Sequence, residues 1–144
     1  MFKPRFVLRS FNGEENRPLS GAIMQTLLGT LTSINIEIMR RKRLPPLYSS
    51  GVRYVRDGES FGRDDGPEDW QDAEELLARG VGDCKSLACY RAAELQVLYG
   101  IKAFAQFRWR DKEVGSLYHI VVQHPDGRIE DPSAKLGMFD RRHY

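Results

Sequence analysis

The segment "GVGDC" ends on Cys84, in surroundings that suit a reactive thiolate. Asp83 is a good helix N-cap, and a helix is expected from about Cys84 to Tyr99, stopped by Gly100. Cys84 then falls in the first turn, where unpaired backbone N–H groups and the helix dipole favour an anion. Gly82 lets the chain turn tightly and lets a substrate backbone come close. Lys85 adds positive charge, which Asp83 opposes unless its carboxylate is taken up in capping. Cys89, beside Leu87, Ala88 and Leu95, reads as a small apolar filler.

A thiolate nucleophile needs a base, and the base needs an orienting group. Of three histidines, His143 lies in a basic tail and His124 precedes the Pro125–Asp126–Gly127 turn, where an exposed side chain is expected. His119 lies mid-strand on a face with Leu117 and Val121, so it is the rigidly held one. The hairpin folds the strand from Arg128 back beside it and brings Asp131 within pairing distance of the His119–Val121 region. A carboxylate there would fix the imidazole tautomer. A zinc site of Cys84, Cys89 and His119 is disfavoured, because that cysteine spacing along a helix does not match usual zinc pairs.

The elements that position these groups follow from periodicity. An N-terminal helical segment covers about residues 18–44, with Ser20 as a cap and Ile23, Leu27, Leu31, Ile34 and Ile38 forming one stripe toward a core or a partner helix. The "RRKR" run suits its C-terminus, and the following Pro45 and Pro46 stop it. Residues 4–10 suggest a short strand or extended arm. Residues 45–68 form a long loop, with a short strand at Val52–Val55, placed near the site. A short helix in "DWQDAEELLARG" takes Asp69 or Asp72 as cap and Gly80 as stop. After Gly100 the period becomes two: Ile101, Ala103, Ala105, Phe107 and Trp109 share a face. A turn at "RDKEVGS", a strand at "LYHIVVQH" and a third strand at "RIED" follow. Helices followed by an antiparallel meander make one α+β domain over 1–144, with a core at about 69–136 and a tail at 137–144.

Composition narrows the function classes. Net charge is +2, too mild to demand nucleic acid or a membrane. No apolar run approaches the ~20 residues needed to cross a bilayer. The N-terminus lacks the apolar core of a signal peptide, and two cysteines five apart on one helix make a poor disulfide, so reduced sulfur and a cytoplasmic site are expected.

The strings "GDCKSLA", "YHIVV" and "EDPS" resemble the transglutaminase-like cysteine enzymes of the papain-type superfamily. With "DWQDAEELLARGVGDC" upstream, the pattern is similar to the bacterial and phage transglutaminase-like cysteine proteinases. The resemblance covers residues 67–136. It implies a papain-like core in which a helix with cysteine at its N-terminus packs on a small sheet carrying histidine and aspartate. It implies Cys84 as nucleophile, His119 as base and acid, and Asp131 as orienter, acting on peptide or isopeptide bonds through a thioester. No metal or organic cofactor is implied. The chain departs from the pattern at Lys85 and Ser86, where acidic residues are usual, and lacks the papain-type glutamine shortly before the cysteine. The backbone N–H of Cys84 is one oxyanion donor; Trp70, Gln71 or Tyr118 could supply the second. The expected partner is a protein or peptide substrate. The alternative is an inactive domain of the same fold serving assembly through its N-terminal helix, in a bacterial host or a phage virion.

Overall fold

A computed structural model describes residues 17–56, 70–109 and 118–139. The expected arm at 4–10, the turn at 110–116, residues 57–68 of the 45–68 loop, Asp69 and His143 lie outside them. The element order is α1 (Arg17–Arg41), a 3-10 turn (Leu47–Ser49), β1 (Arg53–Tyr54), α2 (Ala73–Arg79), β2 (Val81–Gly82), α3 (Cys84–Tyr99), β3 (Phe104–Trp109), β4 (Tyr118–Gln123), β5 (Ile129–Glu130) and α4 (Pro132–Lys135). The architecture is α+β. An antiparallel sheet of order β3–β4–β5 packs against α3 and α1, and β1 and β2 form a separate parallel pair.

The helix ends follow local chemistry. Asp72 accepts the Glu75 N–H, and Gly80 closes α2 with a φ of 74°. Asp83 accepts the Ser86 N–H, and Gly100 closes α3 with a φ of 64°. A side chain at these two glycines would be strained in the left-handed region.

α3 lies between two cores. Ala88, Cys89 and Leu95 meet Leu28 and Leu31 of α1 and Ala105, Phe107, Ile120 and Val122 of the sheet. Leu87 and Tyr90 meet Leu47, Val52, Ala73, Leu76 and Leu136. An α3 so enclosed explains why Lys85, Ser86 and Glu94 are buried along with its apolar residues.

The buried face of α1 differs from the expected stripe. It runs through Leu28, Leu31, Thr32 and Asn35, with Met24 and Met39 partly covered, while Ile34 stays 45% exposed. Asn35 is the cause: its Oδ1 accepts the Ala73 N–H at 2.8 Å, capping α2 from a distance, and this turns a polar residue inward. Gln25 makes a second polar link. Its Nε2 donates to the Ala105 carbonyl at 2.7 Å, and its Oε1 accepts the Phe107 N–H at 2.9 Å.

Candidate functional site

The cysteine helix α3 leads into β3 through residues 100–103. At the far end Gln96 Nε2 donates to the Ala103 carbonyl at 2.9 Å, just before β3 starts. Back from Gln96, Cys84 is about 18 Å along the helix at 1.5 Å per residue. From Ala103, Arg108 is about 17 Å along the strand at 3.3 Å per residue. Arg108 pairs with His119. The two spans match in length, as packing of Cys84 and Tyr118 against one core requires. Cys84, Trp70 and Tyr118, all partly buried, pack against the same core at this end.

His119 and Asp131 meet as the hairpin requires. His119 Nε2 lies 2.9 Å from Asp131 Oδ2, and His119 is 6% exposed. The carboxylate can only accept, so the imidazole proton sits on Nε2 and the lone pair on Nδ1. The other carboxylate oxygen of Asp131 accepts the Ala134 N–H at 3.3 Å and caps α4, with Pro132 suited to the first helical position. Alternation along β4 sends Ile120 and Val122 into the core with α3, so His119 and Val121 take the opposite parity.

Around Cys84 the turn is tightly built. Asp83 caps α3 and also forms an ion pair with Lys85, which is fully buried. Lys85 Nζ lies 5.4 Å from the centre of the Trp70 ring. Capping therefore does not use up Asp83, and the charge of Lys85 is balanced at short range. Gly82 is required by space: a Cβ there would collide with Leu76 and lie 3.1 Å from Gln71 Oε1 and 3.4 Å from Ser86 Cβ. The sequence reading had assigned this glycine to a tight turn and substrate approach, yet it lies in β2, packed against α2.

The three oxyanion candidates separate. The Tyr118 ring stacks on Phe107, centroids 5.4 Å apart, and Trp70 lies against Lys85. Gln71 is 3% exposed, and its Nε2 is one of four buried side-chain atoms without a hydrogen-bond partner among the described residues. Ser86 Oγ, across Gly82 from it, is another.

Cys89 is wholly buried; its thiol donates to the Leu28 carbonyl at 3.4 Å, and burial pushes its pKa up to about 12. Neither cysteine is in a disulfide.

His124 corrects an expectation of exposure: it is 4% exposed. Its even strand parity turns it toward α3, where its Nε2 donates to Glu130 Oε1 at 3.0 Å. Glu130 also accepts from Arg91 Nε at 2.6 Å and from the Tyr48 hydroxyl. Arg91 reaches Glu94 at 2.6 Å, and Glu94 accepts the Leu47 N–H at 2.9 Å. Burial alone would raise the Glu130 carboxyl, but bonds from Arg91, Tyr48 and His124 hold it at about 2. Burial, then Glu130, raises the Tyr48 hydroxyl. Sequence reading missed this network. Its signal was Arg91 and Glu94 three apart on a helix otherwise apolar toward both cores.

Among the described residues, no helix is long and apolar enough to cross a membrane, and no group of three or more His, Cys, Asp or Glu could hold a metal ion. No known protein family, no curated protein and no solved structure matches the chain.

Proposed function

We propose that the chain is a transglutaminase-like cysteine hydrolase or acyltransferase acting on amide bonds. The observation that carries this reading is the His119–Asp131 pair, with Tyr118 next to His119 in the chain and packed against the same core as Cys84. In this reading His119 Nδ1 takes the Cys84 thiol proton, the thiolate attacks the carboxamide carbon, and the electron pair moves to the oxygen. The His119 imidazolium then gives its Nδ1 proton to the leaving amine as the C–N bond breaks. Water, deprotonated by the same imidazole, cleaves the thioester and releases the acid; an amine in its place would give transamidation. Asp131 keeps the other ring nitrogen protonated throughout. Gln71 is the side-chain oxyanion donor, because its buried amide nitrogen lacks a partner while its side chain reaches the β2 residue Gly82, two before Cys84. The substrate is a peptide or isopeptide in a protein.

The parity of His119 favours a second reading. In an inactive assembly domain of the same fold, the His119–Asp131 pair would be a strut between β4 and α4, and α1 would meet a partner protein.

Alkylation separates the two. An activated Cys84 reacts with iodoacetamide well below pH 8.5, the ordinary thiol midpoint being about 8.5. Cys84→Ala abolishes that labelling, and His119→Gln slows it at least tenfold. Labelling that begins only above that pH, or that ignores His119→Gln, selects the assembly domain.

A further inference from the structure

β5 is too short to hold its own place. It comprises Ile129 and Glu130, paired with Gln123 and Val122 of β4, and Ile129 is 38% exposed. Two residues of ladder give little independent stability. Yet the next residue, Asp131, makes the 2.9 Å bond to His119. A displacement of about 0.7 Å would carry that bond beyond the range of a real hydrogen bond. Consecutive Cα atoms are tied about 3.8 Å apart, so Asp131 is only as well placed as Glu130.

Glu130 is held from three directions. Arg91 reaches it from α3, the Tyr48 hydroxyl from the 3-10 turn, and His124 from β4. Each holder is itself held. Arg91 is bonded to Glu94, and its guanidinium lies 4.8 Å from the Tyr48 ring centre. Lys135 of α4 covers the same ring at 4.7 Å. His124 Nδ1 faces Arg128 Nη2 at 3.5 Å. Glu130 thus ties to α3 and the 3-10 turn, while Asp131 turns to His119 and to the first turn of α4. The peptide between them is fixed from both sides.

We propose that Glu130 is a positioning residue: clamped by Arg91, Tyr48 and His124, it sets Asp131 at bonding distance from the His119 ring. The proposal rests on the His119–Asp131 part of the function proposed above and does not involve the thiol.

The test uses the full chain labelled with 15N and follows the ring proton on His119 Nε2, assigned with His119→Gln. The wild type shows the Nε2–H tautomer with a proton that exchanges slowly with water. In Glu130→Gln that exchange becomes at least tenfold faster and the two tautomers mix. Tyr48→Phe, which removes one of the three bonds, moves the signal the same way by less. Tyr90→Phe is the control for simple destabilisation, since it removes the bond from Tyr90 to the Pro45 carbonyl beside the same turn. At an equal loss of thermal midpoint it leaves the His119 proton as in the wild type. An unchanged His119 proton in folded Glu130→Gln, or an equal loss in Tyr90→Phe, overturns the proposal. If Glu130→Gln does not fold, an unchanged proton in Tyr48→Phe overturns it instead. Failure of iodoacetamide to reach Cys84 below pH 8.5 would remove the catalytic reading and leave this one standing.

Discussion

The ammonium of Lys85 is bonded to the carboxylate of Asp83, and the two residues bracket Cys84 in the chain. Both are buried, Lys85 completely. A buried charge that loses its partner costs far more than the pair is worth. Lys85→Met should therefore cost about 3 kcal/mol. Lys85→Met with Asp83→Asn should recover a large part of that, short of the wild type because an asparagine cap replaces the charged one. Urea unfolding of the two variants measures this; a single variant within about 1 kcal/mol of the wild type would contradict it.

The two thiols should differ in kind. Cys89 is sealed among Leu28, Ala88 and Leu95, with its pKa pushed up to about 12 by burial. A disulfide reagent at pH 8 should titrate one thiol in the native protein and two in urea. The native thiol should vanish in Cys84→Ala and persist in Cys89→Ala. Two fast thiols in the native state would contradict the packing.

Acid should strip away what Glu130 contributes. Burial alone would raise its carboxyl, but Arg91, Tyr48 and His124 hold it at about 2, against an ordinary 4.5. A group with a lowered native pKa stabilises the fold above its unfolded value, and that stability is lost as pH falls through the native one. The contribution is therefore complete above pH ~4.5 and declines toward pH ~2. It should amount to about 3 kcal/mol. Chemical denaturation at a series of pH values from 6 to 3 should show this slope in the wild type and a shallower one in Glu130→Gln. Parallel profiles would remove Glu130 from the account.

Gly82→Ala tests the turn before the cysteine. The new methyl would meet Leu76, so α2 must give way or β2 must leave its pairing with β1. A cost of about 1–3 kcal/mol is expected, as for other overpacked cores. Leu76→Ala in the same chain should make the Gly82→Ala step much cheaper, a coupling that a double-mutant cycle reads directly. Strict additivity would mean that Leu76 is not what demands the glycine.

Much of this fold is legible in local chemistry. The caps Asp72 and Asp83 and the glycines Gly80 and Gly100 bound α2 and α3 at the residues expected. The alternation from Ala103 to Phe107 marks the buried face of β3, and the Pro125–Gly127 turn brings Asp131 to His119. What escaped is non-local. Nothing near Asn35 announces that it caps a helix 38 residues away, so the expected α1 stripe shares Leu31 with the buried face but misses Leu28, Thr32 and Asn35. His124 was read as exposed because it borders a turn, and only the register with β5 shows that Glu130 is waiting for it. Lys85 reads from sequence only as a positive charge beside Cys84; its burial depends on two cores closing around α3.

The Gln25 carboxamide has a consequence for how the molecule meets others. β3 has β4 on one side, and its other edge would offer the Ala105 carbonyl and Phe107 N–H to any passing extended chain. Gln25 takes both groups, standing in for one residue of a missing strand. The sheet is thereby stoppered at that position against edge-to-edge growth, by a single side chain on a helix and without a proline or a bulge on the strand itself.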